Sequence, residues 1–585
     1  MSRFRVRASC ALALALAANT DVTRIAAQDN GVPSTTGLVV SNSAIAADLG
    51  ASILHKGGNA IDAAVATAFA LAVTHPSAGN IGGGGYMLVR MASGRAAAID
   101  YREAAVAAAS PKMFVDSTGK LNPKVAVAPR QPGSNPSVSG YLSVALPGTV
   151  RGMELAHKTF GKLPWKDVVM PAARLATDGF PLTEGLARSI NSSMEGPFKP
   201  FPATLEAYGK PGGGKWQAGD KIVLADLGKS LTAIAEQGAD VFYKGWIADR
   251  IVEDMQAHGG LMTKADLASY QAKLRAPVTG TFRGYDILAQ SPSSGGGIVV
   301  IEMLNILENF DLKKYGRYAP ETLHLMIEAM RRAYLDRARY MGDPDFVQIP
   351  VEKLTSKQYG KELAAGISLD KASNSLELGK DLVGTGTQDY EHPETTHFSV
   401  IDKDGNAVSN TYTLMDGFGS KIVVKGAGFF LNNEMGSFNI TPGVNDLQGN
   451  LGTKPNQIEP HKRALSSMMP AMVVKNGKVV LITGAPGART IINTVLEVVL
   501  NVTEFGMNGR AAVDAARMDH EWLPDLTTFE KGGIPAAAQA KLTQMGHKLV
   551  EKGNQGTANS VWVDLASGIA YGANDNRGGD TKAAK

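Results

Sequence analysis

The chain has 585 residues, of which 44% are hydrophobic and 19% are charged, as in an ordinary soluble globular protein. Its 59 basic and 55 acidic residues leave a formal charge of +4, which excludes a strongly basic nucleic-acid-binding protein. The only cysteine is Cys10, so disulfides, cysteine metal sites and thiol nucleophiles are excluded from the remainder of the chain.

The first 27 residues have the pattern of a secretory signal peptide. Met1–Arg7 carries three arginines, and Ala8–Ala18 is an apolar run too short to span a membrane. We therefore expect an exported protein, periplasmic or secreted, without a stable membrane anchor. The leader would end between Ala18 and Ala27; an uncleaved membrane anchor is the alternative interpretation.

Helices are predicted where apolar residues recur at helical spacing between breakers. The segments are Asn59–Val73, Gly152–Phe160, Trp165–Thr177, Glu321–Tyr340 and Asn493–Phe505. In the fourth of these helices the arginines lie off the apolar stripe, which predicts a solvent-exposed charged face. These arginines are Arg331, Arg332, Arg337 and Arg339.

A β-hairpin is predicted directly after Thr395, because two β-rich runs flank an Asp-Gly pair. The runs are Thr396–Asp402 and Ala407–Leu414. With Asp404 and Gly405 as the two central turn residues, Thr396 faces Thr413. Thr413 then lies diagonally beside Thr395, within reach of its hydroxyl or amine.

Further strands are predicted over Lys421–Val424, Phe429–Leu431, Ala471–Val474 and Lys478–Ile482. Asn439–Pro460 is rich in Gly, Asn and Pro and is predicted to form a long loop, a feature that is often functional. The glycine run at Gly82–Gly85 lacks the strand-turn-helix context of a nucleotide cradle. The ten histidines are scattered and form no His-Glu-x-x-His motif, so no cofactor and no metal site are predicted.

Several segments in the C-terminal third together resemble the small-subunit signature of the γ-glutamyltransferases. They are Glu394–Val400, Asn410–Leu414, Leu431–Met435, His461–Met468 and Thr483–Gly487. Upstream segments resemble the same family in the same order, namely Gly57–Ala64, Gly82–Gly85, Asp100–Glu103, Leu146–Gly152, Pro292–Gly296 and Gly342–Phe346. The resemblance therefore extends over nearly all of the chain after the leader.

The resemblance implies an α+β fold, the αββα sandwich of the N-terminal nucleophile hydrolases, with two antiparallel sheets between helical layers. It also implies self-cleavage between Glu394 and Thr395, giving a large subunit (28–394) and a small catalytic subunit (395–585) that together form one domain. A threonine hydroxyl is a poor nucleophile without a base. Cleavage would supply one, because the freed α-amine of Thr395 has a reference pKa of ~7.7.

The resemblance also implies how the acyl-transfer site is built. Thr413 orients the nucleophile Thr395, and the backbone N–H groups of Gly487 and Ala488 stabilise the oxyanion. These two residues lie between a predicted strand and a predicted helix, where N–H groups favour negative charge. Ala488 stands where the family usually has a second glycine, and its donor is retained if its φ is negative.

Recognition of a γ-linked glutamate is implied for a second group of residues. Arg102 matches the arginine that binds the α-carboxylate, a task suited to a bidentate guanidinium, and Ser466 and Ser467 match the hydroxyls that assist it. Glu434 is the expected partner of the α-ammonium group. The stretch Asn439–Gln457 would form a lid over this pocket.

Three positions in the recognition group depart from the family. Met415 stands where the family usually has an asparagine, and Ser437 stands where it usually has an aspartate. In the lid, Gln448 stands where many members have an aromatic residue. The loss of an acid beside a buried ammonium weakens its recognition, because unpaired charge is costly to bury.

Three functions are therefore weighed. The first is a self-processing γ-glutamyl hydrolase and transferase that acts on amides such as glutathione, with water or an amino acid or peptide as acceptor. The second is an acylase of the same family for glutaryl or cephalosporin-type amides, favoured by Met415 and Ser437. The third is an unprocessed, inactive binding protein that keeps the fold.

Overall fold

A computed structural model of the protein describes residues 29–122, 126–127, 137–382, 394–443 and 453–585. The predicted signal peptide, residues 1–27, and Gln448 of the predicted lid lie outside the described residues. Within those ranges, none of the helices combines the length and the apolar character that a membrane span requires. The structure describes one continuous chain through Glu394 and Thr395.

The strands are β1 Val32–Ser34, β2 Gly37–Ser41, β3 Gly84–Arg90, β4 Ala96–Tyr101, β5 Ala126–Val127, β6 Ser137–Val138, β7 Phe180–Pro181, β8 Lys221–Ile222, β9 Lys273–Arg275, β10 Val278–Phe282, β11 Tyr285–Ala289, β12 Thr396–Asp402, β13 Ala407–Thr413, β14 Ala471–Lys475, β15 Lys478–Thr483, β16 Met518–Asp519, β17 Thr527–Glu530, β18 Leu549–Lys552, β19 Ser560–Val563, β20 Ala570–Ala573 and β21 Lys582–Ala584.

The helices are α1 Ala44–His55, α2 Ala60–Thr74, α3 Thr149–Phe160, α4 Trp165–Asp178, α5 Glu184–Met194, α6 Pro202–Tyr208, α7 Ala225–Gln237, α8 Asp240–Tyr243, α9 Trp246–Ala257, α10 Lys264–Ser269, α11 Gly296–Leu307, α12 Leu312–Tyr315, α13 Pro320–Tyr340, α14 Val351–Leu354, α15 Lys357–Ala365, α16 Ser375–Leu378, α17 Thr490–Thr503, α18 Gly509–Asp514 and α19 Ala536–Met545.

Two antiparallel sheets form the centre of the molecule, each with seven strands among the described residues. The strand order is β1-β20-β19-β15-β14-β11-β10 in the first sheet and β21-β2-β12-β13-β3-β4-β9 in the second. Each sheet contains strands from both sides of the Glu394–Thr395 bond. The two parts of the chain therefore contribute to one common structure.

Apolar cores show that the two sheets pack face to face between helical layers. Between the sheets, Leu88 of β3 shares a core with Ile482 of β15. On the outer face of the second sheet, Phe398 of β12 packs into the core that contains α1 to α4. On the outer face of the first sheet, Leu481 of β15 packs with α11, α13 and α17. This is the αββα arrangement predicted from the sequence.

Helix α2 is anchored to the turn of the β12–β13 hairpin. Its first turn is closed by a capping box, in which the Asn59 side chain accepts from the N–H groups of Ile61 and Asp62. The N–H of Ala60 donates to Oδ2 of Asp402 at 3.0 Å. All residues of this helix are buried, so the hairpin is fixed at the turn end by a fully enclosed helix.

The register of the β12–β13 hairpin differs by one residue from the predicted one. Thr396 pairs with Tyr412 rather than with Thr413. Continuing the observed register by one residue places Thr395 directly opposite Thr413, instead of on a diagonal. The predicted register is wrong, yet the corrected one brings the two threonines closer together.

The shape of the hairpin turn explains this difference. The N–H of Asp402 donates to the carbonyl of Asn406 at 3.0 Å, so three residues, not two, form the loop. Gly405, the last of the three, has a φ of 87°. A left-handed residue in the third position is typical of three-residue hairpin loops, and glycine adopts that conformation without strain.

The prediction of a solvated arginine face on α13 is wrong for three of its four arginines, Arg331, Arg332 and Arg337, the last of which contacts Ser467. Arg331 and Arg332 are 2% and 5% exposed, because α13 is covered by α11 and α19. Both guanidinium groups pair with Glu328, at 3.2 and 2.6 Å, and Arg331 also pairs with Asp525, so two carboxylates compensate the two buried charges. Arg339 remains partly exposed, as predicted.

The other predicted elements differ from the structure mainly at their ends. The predicted helix over Asn493–Phe505 begins earlier, at Thr490, and ends at Thr503. The two short strands predicted between 421 and 431 are replaced by a single bridge between Val423 and Phe430. Helix and strand ends are set by capping and tertiary contacts that short sequence patterns do not contain.

Candidate active site

Thr395 and Thr413 form a chain of hydroxyl hydrogen bonds that ends on the carbonyl before Thr395. Oγ1 of Thr395 donates to Oγ1 of Thr413 at 3.4 Å. The Thr413 hydroxyl in turn donates to the carbonyl oxygen of Glu394 at 2.8 Å, and it accepts from the N–H of Met415 at 2.9 Å. Thr395 is 8% exposed. One hydroxyl thus contacts both the predicted nucleophile and the peptide bond that it would attack.

Inward-facing side chains of the hairpin meet successive residues of β15 and the loop after it. The hydroxyl of Ser409 donates to the carbonyl of Thr483 at 2.9 Å. A Cβ at Gly484 would lie 2.4 Å from Cε1 of His397, so only glycine fits against this ring. Thr395 comes two residues before His397 and therefore lies on the same face, because side chains alternate along a strand.

His397 is buried and uncharged, and its side chain lies on the same face of the hairpin as that of Thr395. Its Nδ1 lies 2.8 Å from Oγ1 of Thr411, and its Nε2 lies 3.0 Å from Oγ of Ser399. Burial lowers the pKa of His397 to about 3. The imidazole is therefore uncharged at neutral pH, and it fixes the distance between β12 and the loop that starts at Gly484.

The predicted oxyanion donors lie in a strained loop at the N-terminus of α17. Gly487 has a φ of 133° and Ala488 a φ of 57°. Ala488 therefore does not meet the condition of a negative φ: it adopts the left-handed conformation that a glycine adopts without strain, so its N–H can serve as a donor only from a strained backbone. An L-residue in this left-handed conformation costs ~1–2 kcal/mol. The carbonyls of both residues accept from the first N–H groups of α17, at 3.2 Å each, which continues the loop into the helix.

Arg102 lies at the same edge of the second sheet as Thr395. Across neighbouring strands, Thr413 pairs with Gly84, and Gly85 pairs with Tyr101, the residue before Arg102. The backbones of Thr395 and Arg102 are thus three strand spacings apart, or ~14 Å. A substrate that bridges the two residues would lie along the ends of four adjacent strands.

Arg102 is held in a buried cluster with two carboxylates. Its Nη2 lies 2.5 Å from Oε1 of Glu434, and its Nη1 lies 3.3 Å from Oε2 of Glu103. Burial alone would lower the pKa of Arg102, but the charges of Glu434 and Glu103 outweigh burial and raise it. The pKa of Glu103 is raised well above its usual value by burial and by the charge of Glu434. Burial and the charge of Glu434 thus favour the protonated form of Glu103 beside the Arg102–Glu434 ion pair.

The segment containing Ser466 and Ser467 wraps around the Arg102 guanidinium. Nε of Arg102 donates to the carbonyl of Ala464 at 3.3 Å, and Nη2 donates to that of Leu465 at 3.4 Å. The next two residues are Ser466 and Ser467. Both predicted serines therefore follow directly on the backbone that contacts Arg102.

Each of the two serine hydroxyls has a partner in the structure. Oγ of Ser466 accepts from the N–H of Met468 at 3.0 Å. Oγ of Ser467 accepts from Nη2 of Arg337 at 2.8 Å. Arg337 lies on α13 and belongs to the arginines predicted to face solvent, so the structure instead places it against the site.

Glu434, Ser437 and Met415 lie around the remaining side of the cluster. The hydroxyl of Ser437 donates to Oε1 of Glu434, the same oxygen that pairs with Arg102. Among the described residues, Oε2 of Glu434 is buried and has no hydrogen-bond partner. Met415 has a φ of 79°, a conformation in which asparagine is several-fold enriched over other non-glycine residues. The family's usual asparagine would therefore suit this backbone better than methionine does.

The two ends of the predicted lid are tied together beside the site. The N–H of Asn439 donates to the carbonyl of Asn456 at 3.0 Å, and the side chain of Asn439 donates to the carbonyl of Thr453 at 2.6 Å. Nδ2 of Asn456 donates to the carbonyl of Ser437 at 2.8 Å. The loop is thus anchored next to Glu434, although its middle lies outside the described residues.

Elsewhere, His324, Glu328 and His547 form a buried group with the composition of a metal site. Nδ1 of His324 lies 2.7 Å from Nε2 of His547, and Glu328 bonds two arginines. Two nitrogens sharing a zinc ion at 2.0–2.1 Å in tetrahedral geometry are about 3.3 Å apart. The two imidazoles are therefore arranged as a hydrogen-bonded pair and do not fit a shared metal ion.

The facing sheets, with a threonine at the edge of a central strand, define the fold of the N-terminal nucleophile hydrolases. The family model for gamma-glutamyltranspeptidase matches residues 46–585. The chain is 44% identical over 547 residues to the glutathione hydrolase proenzyme of Escherichia coli strain K12, covering 93% of this chain and 91% of that protein. The chain therefore belongs to the gamma-glutamyltranspeptidase family, as the sequence motifs predict.

Acylases are also among the similar proteins. The chain is 36% identical to the acylase ACY 1 proenzyme of Pseudomonas sp. strain SE83, over 88% of this chain and 87% of that protein. The structure matches the crystal structure of cephalosporin acylase from Bacillus halodurans with a TM-score of 0.81 and 28% sequence identity, covering 95% and 96% of the two chains. Both hydrolases of glutathione and acylases thus share this architecture.

Two residues of the cluster were not predicted as site residues. Glu103 directly follows Arg102 in the recognised motif, and an acid beside a binding arginine was a usable signal. Arg337 was visible only as one of several arginines on a helix. Its contact with Ser467 joins residues 130 positions apart and has no local signature in the sequence.

Proposed function

We propose that this protein is made as a precursor that cleaves itself between Glu394 and Thr395. The enzyme so formed would transfer γ-glutamyl groups from amides such as glutathione to water or to an amino acid or peptide. The proposal is supported by family membership and by the names of the relatives. The hydroxyl chain from Thr395 through Thr413 to the Glu394 carbonyl supports the cleavage step.

In the cleavage step, Oγ1 of Thr395 attacks the carbonyl carbon of Glu394. Thr413 accepts the hydrogen bond of the attacking hydroxyl and polarises the carbonyl that is attacked. The hydroxyl proton passes to the amide nitrogen as the C–N bond breaks, which leaves an ester between Glu394 and the Thr395 side chain. The α-amine of Thr395 is free once this C–N bond has broken. Water then hydrolyses the ester, which releases the hydroxyl of Thr395 and the carboxylate of Glu394.

In turnover, the α-amine of Thr395 serves as the base for its own hydroxyl, which attacks the γ-carbonyl of the substrate. The N–H groups of Gly487 and Ala488 would stabilise the oxyanion. The α-amine then passes the hydroxyl proton to the leaving amine as the C–N bond of the substrate breaks, and a γ-glutamyl ester remains on Thr395. Water or an acceptor amine then releases the acyl group. Thr413 keeps the nucleophile oriented through both stages.

The ion pair between Arg102 and Glu434 is the observation that favours a γ-glutamyl substrate. The substrate head group carries one carboxylate and one ammonium. It can exchange with the existing pair, its carboxylate on Arg102 and its ammonium on the unbonded Oε2 of Glu434, without adding net charge. A glutaryl group brings a carboxylate alone, which would leave Glu434 buried without a counter-charge.

A second candidate function is that of an acylase for glutaryl or cephalosporin-type amides. Met415 and Ser437 favour it, because both replace groups that the family uses around the ammonium. The likeness to cephalosporin acylase is also consistent with it. Protonation of Glu434 would then be required for tight binding of a substrate without an ammonium group.

Several further features complete the proposal. The chain would be exported to the periplasm or the medium, after removal of a leader that ends near residue 27. The subunits 28–394 and 395–585 would remain joined, because each sheet contains strands of both. The segment 439–457 would cover the head-group pocket, beside which its ends are anchored.

The decisive experiment measures p-nitroaniline release from γ-glutamyl and glutaryl p-nitroanilides, side by side, with Thr395→Ala as the blank. We expect faster cleavage of the γ-glutamyl compound. Faster cleavage of the glutaryl compound would establish the acylase instead. Mass spectrometry of the same preparations should find a fragment that begins at Thr395 in the wild type, and an intact chain in Thr395→Ala. An intact wild-type chain would exclude self-processing and favour the inactive binding protein.

A further inference from the structure

Arg489 directly follows the strained residues Gly487 and Ala488, the proposed oxyanion donors, and its contacts hold this loop in place. The backbone carbonyl of Arg489 accepts a hydrogen bond from the hydroxyl of Tyr334 at 2.6 Å. Nε of Arg489 lies 2.6 Å from Oε2 of Glu521, and both side chains are mostly buried, at 13% and 11% exposure. Backbone and side chain of the same residue are thus fixed by two different elements.

Glu521 is itself held in place by the residues around it. The side chain of Asp519 hydrogen-bonds to Glu521, and burial together with the charge of Glu521 raises the pKa of Asp519 well above its usual value. Oδ1 of Asp519 accepts from Nδ2 of Asn493 in the first turns of α17, at 2.5 Å. The contacts form a closed path from Arg489 through Glu521 and Asp519 back to the helix that Arg489 precedes.

Strained backbone persists only where its surroundings determine it. Ala488 is not glycine, so its positive φ must be maintained by neighbouring contacts. Within the loop, Thr490 closes onto the Gly487 carbonyl at 2.7 Å through its hydroxyl. The contacts of Arg489 tie this loop to residues outside it.

We propose that Tyr334 and Glu521 are positioning residues for acyl transfer, which act through Arg489 to hold the N–H groups of Gly487 and Ala488 in their strained orientation. We call these three residues the Arg489 clamp. This inference rests on the proposed function, because it takes those N–H groups as the oxyanion donors. Tyr334 lies before the Glu394–Thr395 bond and Arg489 after it, so the large subunit would set the geometry of a loop in the small one.

The test measures kcat and KM for γ-glutamyl p-nitroanilide with processed wild type, Tyr334→Phe and Glu521→Gln. Loss of one hydrogen bond to the loop should lower kcat about five- to tenfold, because the donors act on the transition state. KM should stay within about twofold. Tyr340→Phe, six residues further along α13, is the matched control and should match wild type in both constants.

The second arm repeats Tyr334→Phe in an Ala488→Gly background. Glycine adopts a positive φ without strain, so the loop should depend less on the clamp, and the effect of Tyr334→Phe should fall below about twofold. An undiminished effect in the glycine background, an unchanged kcat in Tyr334→Phe, or a change confined to KM would each overturn the proposal.

The proposed substrate and the clamp can fail separately. If wild type cleaves the glutaryl rather than the γ-glutamyl anilide, the proposed substrate is wrong. The same variants are then compared on the glutaryl anilide, where the clamp predicts the same loss of kcat and the same rescue by glycine at 488.

Discussion

The two halves of the site are built from different kinds of groups. Around Thr395 the contacts are made by hydroxyls, backbone groups and the neutral His397. Around Arg102 they are made by charges, with Glu434 at 2.5 Å and Glu103 at 3.3 Å. The register of neighbouring strands sets the position of Thr395 and Thr413, which we call the nucleophile edge after the proposed role of Thr395. Ion pairs between distant segments set the position of Arg102 and Glu434, which we call the head-group pocket after their proposed role.

This difference separates the chemistry from the choice of substrate. The nucleophile edge keeps the residues of the family signature, apart from alanine at position 488. The head-group pocket carries Met415 and Ser437 in place of the usual polar and acidic residues. Substitutions at the edge should therefore affect every substrate and the self-cleavage, whereas substitutions in the pocket should change only which acyl group is bound.

Thr413→Val should give the largest effect. It removes the hydroxyl that contacts both Thr395 and the Glu394 carbonyl, and loss of one such donor typically costs ~10²–10³ in rate. Processing, followed by gel electrophoresis and mass spectrometry over time, should slow by this factor. Ser409→Ala, which removes an inward hydroxyl of the same strand, should be processed normally. A Thr413→Val chain that is cut at the wild-type rate would contradict the assigned role.

Arg102→Ala should impair binding and leave processing intact. It removes the carboxylate partner and leaves Glu434 without its counter-charge, a change that typically costs ~2–5 kcal/mol. KM for γ-glutamyl p-nitroanilide should rise accordingly, while the fragment beginning at Thr395 still forms. Arg339→Ala, at a partly exposed arginine of α13, is the control. Unchanged kinetics in Arg102→Ala would remove this residue from the site.

Met415→Asn combined with Ser437→Asp should sharpen the preference for γ-glutamyl over glutaryl substrates. Each change restores a polar or acidic partner near the ammonium, and hydrogen bonds to charged groups are worth ~1.5–3 kcal/mol. The ratio of kcat/KM for the two anilides should therefore rise at least about tenfold. A ratio that falls or stays constant would show that Glu434 alone recognises the ammonium group.

The contributions of His397 and of Glu103 to folding stability should change with pH in opposite directions. The folded pKa of His397 is about 3, below the unfolded value of ~6.5, so the unfolded state gains a proton first as the pH falls. The stability contributed by neutral His397 is lost between these two values, with a slope of at most ~1.4 kcal/mol per pH unit. The folded pKa of Glu103 is raised, so its ionisation opposes folding as the pH rises above ~4.5.

Urea midpoints of the Thr395→Ala precursor between pH 4 and 8 test this contrast. The substitution Glu103→Gln removes one of the two titrations. It should therefore gain stability relative to its parent as the pH rises. Glu377→Gln, at an exposed glutamate, should run parallel to the parent. A Glu103→Gln curve that also runs parallel would show that Glu103 ionises normally in the folded chain.

Local patterns in the sequence predicted the hairpin and most long helices, and the family resemblance predicted the αββα fold. The register was missed by one residue because the same Asp-Gly pair fits a two-residue and a three-residue loop. The choice depends on the left-handed Gly405, which is decided by how β12 and β13 pair. A short turn pattern does not contain that information.

Long-range contacts were the part that the sequence did not predict. Burial of Arg331 and Arg332 depends on α11 and on the distant α19, which both pack against α13. The Arg102–Glu434 pair joins residues more than 300 positions apart, and family resemblance assigned them to separate groups of the substrate. The positive φ of Ala488 does not meet the condition stated from its residue type, because tertiary contacts can impose a conformation that alanine disfavours.

The alternation of strands across the Glu394–Thr395 bond has a consequence for the life of the molecule. In the second sheet, β2 lies between β21 and β12, and β13 pairs with β3. In the first sheet, β1 pairs with β20, so early and late parts of the chain are paired in each sheet. Such non-local pairing forms slowly and needs both parts tethered. Once cut, the two pieces would keep a shape that they acquired as one chain. Unfolding of the cut protein by heat or denaturant would then be irreversible, because the separated subunits would no longer be joined when they refold. Activity lost on unfolding would not return on cooling.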